Sequence, residues 1–510
     1  MTHGLIVAGT HSGVGKTTIS IALMAALRRR GLTVQGFKVG PDFIDPGFHA
    51  AATGRPSYNL DGWMLDRDTN REIFARATAE ADVSVVEGMM GLFDGASGSD
   101  ESGSTAEMAK LLGLPVVLVI DAAAQARSAA ALVHGFDTFD PDLDVVAVIA
   151  NFVAGEGHYR YIKDSINASC RAESVGWLPR NPAVAMPSRH LGLVTACEVM
   201  DAARLEVLAD WIEGGIDLDR LLGLSVTHSA WEAAAEGSEA RLVGAANNLG
   251  RASEVSVRIG VARDRAFCFY YQDNLELLQR LGVELVAWSP IDDPLPDGLH
   301  GLYFGGGYPE LYAPQLTANV DARRAVGAFV AAGGAVYAEC GGLMYLTEAI
   351  VDADGAEYPM VSILPTRARM RGRLVALAYA EVEGMDDALL PPGQTARGHQ
   401  FRYSEIDPMP GSIARRYRVR APLQGDTLHL EGYAVHNCLA SYIHLHFLSN
   451  PGFAARWLYS CRRSNVITSA EQGRITASHA GMNIRGHLKV ECSDQQTLQA
   501  HKPSLEDMAR

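Results

Sequence analysis

Gly9-Thr10-His11-Ser12-Gly13-Val14-Gly15-Lys16-Thr17-Thr18 decides how this chain is read. An apolar run, Leu5-Ile6-Val7-Ala8, leads into it, and a helix-forming run from Ile19 to Leu27 leads out. The pattern is strand, glycine-rich loop, helix. Gly13 and Gly15 let backbone N–H groups close around phosphate oxygens, and the helix N-terminus adds positive potential. Lys16 supplies a point charge for β- and γ-phosphates, and the Thr17 hydroxyl is placed to hold Mg²⁺. Lys16-Thr17-Thr18 opens the helix where a phosphate loop requires it, although Thr10 stands where the standard pattern has glycine. The alternative is a glycine turn that binds nothing.

Apolar runs at Leu5–Ala8, Thr33–Phe37, Val83–Val86, Val116–Ile120 and Val145–Ile149 alternate with helical stretches. Their continuous apolar character predicts a parallel sheet buried on both faces. A second α/β series is expected at Val257–Ala262, Val283–Trp288, Gly301–Phe304 and Ala335–Ala338. Residues 225–256 are rich in Ala, Gly, Ser, Asn and Glu, without a clear strand, and read as a linker. The expected organisation is a domain over 1–224, this linker, a second domain over 257–461, and a polar tail of marginal order over 462–510.

The chain has 510 residues and a formal net charge of −15, which argues against nucleic acid or an anionic membrane as partner. No apolar run is long enough to span a bilayer. The first apolar stretch runs straight into the phosphate loop, so no secretory signal is read there. Seven cysteines, with no metal-type pairs, fit cytoplasmic thiols.

Lys38-Val39-Gly40-Pro41-Asp42-Phe43-Ile44-Asp45 follows the second strand. Two acids three apart in a Pro/Gly loop at the carboxyl end of a strand suit Mg²⁺ coordination and substrate orientation, or turn capping. Glu87, after the third strand, occupies the place of a second metal-side carboxylate, or is a solvated loop acid. For Asp94 turn capping is the better reading. Asn151 ends the fifth strand, where its amide can read an adenine edge. Arg189-His190 is a cationic pair that meets an acidic substrate or caps a helix.

Ala338-Glu339-Cys340-Gly341-Gly342 reads as strand, tight turn, helix, with the Cys340 thiol lifted above the sheet at a helix N-terminus. The alternative is a buried structural cysteine. Gly306 and Gly307, ending another strand, and Gly341 are candidates for an oxyanion hole. A nucleophilic cysteine needs a base from elsewhere in the chain. His444 and His446 are expected two apart on one strand, facing the same side. Spacing leaves the choice between them open.

Together these stretches, with Glu87-Gly88-Met89-Met90-Gly91-Leu92-Phe93-Asp94-Gly95 and Ser441-Tyr442-Ile443-His444, resemble the cobyrinic acid a,c-diamide synthase family over about residues 3–458. The resemblance implies an α/β fold with two parts. The first is a P-loop NTPase-like parallel sheet of the dethiobiotin synthetase type. The second is a flavodoxin-like class I glutaminase domain. It implies a ligase that uses ATP, L-glutamine and cobyrinic acid, in the cytoplasm, with a homodimer as a possible assembly. Cys340 would release ammonia from glutamine with His444 as base and His446 in support. Thr17, Asp42, Asp45 and Glu87 would serve Mg²⁺, ATP and activation of the substrate carboxylate. Gln400 and Arg402 stand where the family segment usually has Glu and His. Synthases for hydrogenobyrinic acid or another tetrapyrrole are sibling readings. A partition-type regulatory ATPase is the rival of another class, and it needs no strand–elbow–helix around Cys340.

Overall fold

The computed structural model describes residues 2–186, 194–228, 256–421 and 427–464. The Arg189-His190 pair, most of the expected linker and the tail from 465 lie outside them.

The first half is built on seven parallel strands. They are β1 (Thr2–Gly9), β2 (Val34–Val39), β3 (Tyr58–Leu60), β4 (Val83–Glu87), β5 (Val116–Asp121), β6 (Val145–Asn151) and β7 (Glu173–Leu178). Their order is β3-β2-β4-β1-β5-β6-β7. β2 and β4 are buried along their whole length, as their apolar runs require. The chain reverses direction across the sheet between β4 and β1. That makes the carboxyl ends of these two strands the expected ligand crevice. Helix α1 (Lys16–Arg29) follows β1, and α2 (Asp45–Thr53) follows β2.

One strand falls within the expected linker. β8 (Val226–His228) pairs antiparallel with Thr2–Gly4 of β1, which corrects the reading of 225–256 as strandless. Its three residues are too few to show a period.

The second half has a sheet of ten strands. Its parallel part comprises β9 (Val257–Ala262), β10 (Val283–Trp288), β11 (Gly301–Phe304) and β12 (Ala335–Glu339). A small separate sheet uses β13 (Thr347–Val351), β14 (Glu357–Pro359) and β15 (Leu364–Met370). β16 (Ala376–Gly384) and β17 (Thr395–Arg402) return to the large sheet, and β18 (Ser404–Ile406) joins the small one. β19 (Ala414–Ala421), β20 (Thr427–Val435), β21 (Cys438–Ser441) and β22 (His444–Leu445) complete the large sheet. Its order is β10-β9-β11-β12-β21-β20-β19-β16-β17-β22. The pairings among β16, β17, β19, β20 and β22 are antiparallel, an extension that no apolar run announced. A closing helix spans Pro451–Arg463 and so takes in the first two residues of the expected tail.

The halves share buried surface. One hydrophobic cluster includes Phe37 and Phe74 of the first half with Tyr271, Leu278 and Phe447 of the second. Arg76 pairs with Asp273 and Glu276 across the boundary. Tyr379 donates to Asp61 Oδ2 at 2.8 Å.

β17 and β22 approach so closely at Gly398 that a Cβ there would lie 1.9 Å from the His444 carbonyl oxygen. Gly398→Ala is therefore expected to force β22 away from β17 at a cost of about 1–3 kcal/mol. A lowered melting temperature in thermal denaturation checks this.

Candidate active site

Strand register assembles the first cluster. β2 pairs with β4 so that Lys38 lies opposite Glu87. Lys38 Nζ is 2.8 Å from Glu87 Oε1 and 2.6 Å from Asp45 Oδ2. The other Glu87 oxygen is 2.7 Å from His49 Nε2. The Thr17 hydroxyl, at the start of α1, donates to Glu87 Oε1 at 2.6 Å and lies 3.3 Å from Asp45 Oδ2. Glu87 is the last residue of β4 and fully buried, so the solvated-loop reading fails.

Charge in this cluster is divided unevenly. Burial pushes Glu87 up, but Lys38 and His49 outweigh it and hold the carboxyl well below its usual range. Burial, then Asp42 and Glu87, raise Asp45 well above its ordinary value against the pull of Lys38. Lys38 remains raised because Asp45 and Glu87 overcome its burial. Burial and then Lys38 lower Lys16. Two carboxyl groups, Glu87 and Asp45, thus converge on one deeply buried ammonium.

Beside this cluster the loop turns through left-handed backbone at Gly13 (φ 84°) and Gly15 (φ 102°). Gly13, Gly15, Lys16, Thr17 and Thr18 line a cleft of about 280 Å³ with Asp45. The Asn151 amide is bonded on both sides to the backbone. Its Nδ2 donates to the Val14 carbonyl at 2.8 Å, and its Oδ1 accepts the Phe152 N–H at 2.9 Å. A Cβ on Gly15 would lie 2.3 Å from that nitrogen. Asn151 braces the loop through these two bonds.

Asp42 Oδ1 accepts the amides of Ile44 and Asp45 at 2.7 and 3.1 Å, the capping expected of a turn acid. Asp94 likewise accepts the Gly91 amide at 2.8 Å. Oxygen donors from Thr17 and Asp45 beside a phosphate cleft suit Mg²⁺. Among the described residues no three His, Cys, Asp or Glu side chains form a metal-holding group. An ion here would therefore take its remaining ligands from phosphate and water, as Mg²⁺ commonly does.

The second cluster lies at the carboxyl ends of three adjacent parallel strands, β11, β12 and β21. Cys340 sits between β12 and the helix Gly341–Leu346 with φ 49° and ψ −102°. That is left-handed backbone on a non-glycine residue, the strained elbow expected. His444 is buried beside it. Burial pulls the imidazole down, but Cys340 and then Glu339 overcome this and raise it to about 9.

The carboxylate nearest His444 Nδ1 is Glu339 Oε2 at 3.8 Å. Glu339 also accepts from Tyr303 at 3.1 Å, from Tyr337 at 2.8 Å and from the Leu445 amide at 3.0 Å. It thus ties the elbow to the histidine segment. Sequence reasoning missed it, although an acid closing an apolar strand immediately before the cysteine was the available signal.

His446 stands elsewhere. β22 ends at Leu445, so the two histidines do not share a strand. The His446 ring lies 4.6 Å from that of Tyr271, and its Nε2 is 3.9 Å from Asp273 Oδ2. Burial lowers it to about 3. Gly306 also differs from expectation, since its amide donates to the Phe269 carbonyl at 3.1 Å. Gly307 nitrogen lies 3.1 Å from where a Cβ on Gly341 would stand. The Gly341 amide, in the first turn of its helix, has no intrahelical acceptor.

Residues 5–194 match the CobQ/CobB/MinD/ParA nucleotide binding domain, and residues 258–452 match the CobB/CobQ-like glutamine amidotransferase domain. A cobyrinate a,c-diamide synthase of Syntrophotalea carbinolica is 44% identical, covering 90% of this chain and 98% of the relative. The chain belongs to the cobyrinate a,c-diamide synthase family. The synthase of that name from Priestia megaterium is 41% identical, over 90% of this chain and 97% of its own. A solved glutamine amidotransferase aligns at 20% identity and TM-score 0.29, over 40% of this chain and 98% of that one. Within the family fold, the strand–elbow–helix at Cys340 is present, which the regulatory-ATPase rival does not require.

Two expectations follow from this geometry. Glu87→Ala leaves Lys38 buried with part of its countercharge gone, so it should cost stability by about 3–5 kcal/mol. Chemical denaturation measures it, and this contrasts with a loop acid that affects turnover alone. Glu339→Gln keeps the shape but removes the charge that raises His444. The imidazolium should then lose its proton at lower pH, moving the alkaline limb of the glutaminase pH profile downward. An unmoved limb would sever Glu339 from the histidine.

Proposed function

We infer that the protein is an ATP- and glutamine-dependent ligase that amidates the a and c carboxylates of cobyrinic acid in cobalamin biosynthesis. The observation that carries this reading is the pairing, in one chain of this family, of two sites on adjoining sheets. One is the Cys340–His444 elbow, and the other is the phosphate loop with its buried acids.

In this reading Cys340 Sγ attacks the carboxamide carbon of glutamine. The amides of Gly307 and Gly341 face the oxyanion, and His444 gives a proton to the departing nitrogen, which leaves as ammonia. Water then cleaves the thioester to glutamate and restores the thiol. In the first half, an oxygen of the ring's carboxylate attacks the γ-phosphorus of ATP and ADP departs. Ammonia attacks the resulting acyl phosphate and expels inorganic phosphate, leaving the amide. Lys16 holds the β- and γ-phosphates, and Lys38 and Asp42 line a cavity of about 520 Å³ where a carboxylate can be received.

Thr17 and Asp45 would hold Mg²⁺, whose charge offsets that of the phosphates, while Glu87 orients Thr17 and Lys38. The net charge of −15 supports a setting away from nucleic acid and anionic membrane. No helix of the described residues is long and apolar enough to cross a membrane. Free thiols support a cytoplasmic location.

Cys340→Ala is expected to lose glutamine-dependent amidation and keep ammonia-dependent amidation. Lys16→Ala should lose both while glutamine hydrolysis persists. Mass spectrometry of products from cobyrinic and hydrogenobyrinic acids, with each nitrogen donor, reads all of these outcomes. Amide formation at the normal rate by Lys16→Ala would remove the phosphate-loop assignment.

A further inference from the structure

Phe43 lies between the two acids of the first cluster, yet its ring belongs to the second. The ring centroid is 4.9 Å from that of His444, 4.7 Å from Tyr271 and 5.2 Å from His399. It stacks on Phe269 at 5.5 Å with an interplanar angle of 10°. Phe269 is in turn bonded through its backbone to Gly306, on the loop that faces Cys340. Both flanks of Phe43 are fixed to the other site. Asp42 caps the amides of Ile44 and Asp45, and Asp45 is held by Lys38. A shift of this short acid loop must move the aromatic ring.

His399 completes the wall. Its ring stacks on His444 at 5.1 Å and 18°. Its Nδ1 is 2.7 Å from the Tyr271 hydroxyl. On its other side it lines the cavity shared with Lys38, Asp42 and Tyr379. His444 and the carboxylate-receiving cavity are therefore separated by an aromatic partition one ring thick. Burial, then His444 and His446, keep the His399 imidazole well below its ordinary value, so this wall is uncharged at neutral pH.

We propose that Phe43 couples the two sites, sealing the passage for ammonia between Cys340 and the cavity and linking the position of the Asp42–Asp45 loop to His444. The proposal rests on the glutaminase and synthetase reading above. An apolar ring admits neutral ammonia and disfavours water and ammonium, which lose hydration there. Because the ring rides on the loop that meets substrate carboxylate and phosphate, binding at one site alters the packing around the base of the other. Phe43 touches neither glutamine nor the acyl phosphate in this scheme. It is a positioning residue, and its removal should change how the activities are linked rather than abolish each.

The test measures glutamate released per amide formed, with ammonia-supported synthesis and Cys340→Ala run in parallel. Phe43→Ala is expected to raise the glutamate-to-amide ratio several-fold. It should also make glutamine hydrolysis indifferent to ATP and cobyrinic acid, while ammonia-supported synthesis continues at the wild-type rate. Phe43→Leu keeps apolar bulk but loses the ring packed on Phe269 and His444, so it should raise the ratio by a smaller but measurable factor, and it carries the test if the alanine variant does not fold. A wild-type ratio in either folded variant, or an equal fall of glutamine- and ammonia-supported synthesis, overturns the proposal. If Cys340→Ala instead keeps glutamine-dependent synthesis, the glutaminase assignment is what falls.

Discussion

The Lys38 ammonium is the constraint on which the first site depends. It is buried, and isolated charge at such depth is costly in free energy unless paired. Strand register supplies Glu87 opposite it, and the turn after β2 supplies Asp45. The same Glu87 carboxylate reaches Thr17 at the mouth of the phosphate loop and His49 on α2. Three segments distant in sequence, the phosphate loop, the β2–α2 stretch and the end of β4, are thereby held to one point. A pair of this kind is not evidence of high stability. Its effect is geometric, since each partner fixes the others and any one removed leaves buried charge behind.

Both clusters exploit the same property of parallel sheets. All strands of such a sheet end on one side, so the loops that follow them converge without long excursions. β1, β2 and β4 bring together the phosphate loop, the acid loop and Glu87. β11, β12 and β21 bring together the glycine loop, the elbow and the histidine segment. The antiparallel extension through β16, β17, β19 and β20 adds a different contribution. It carries His399 and Tyr379 to the boundary between the halves.

Much of this was legible in the sequence because it depends on local pattern. Apolar runs buried on both faces, a glycine loop before a helix, and small residues around a cysteine each follow from adjacent residues. What escaped depends on pairing between distant strands. β16 to β20 mix apolar, charged and glycine residues because their faces are only partly covered, so neither a continuous run nor a clean alternation marks them. Glu339 stood in a quoted stretch and His399 beside Gln400, but their significance arises only when β12 meets β21 and β17 meets β22. His446 misled for the related reason that strand alternation was assumed one residue past the end of the strand. Asn151 and Gly306 make backbone hydrogen bonds that no local pattern announces.

The left-handed backbone at Cys340 has a consequence for evolution under thermal stress. Holding a side chain there costs on the order of 1–3 kcal/mol relative to relaxed backbone. Glycine would relieve that strain, and any variant selected for heat resistance alone would be drawn toward it. On the function proposed for Cys340, stability and activity select opposite residues at this position. A thermostable descendant that keeps its thiol must gain its extra stability elsewhere in the fold.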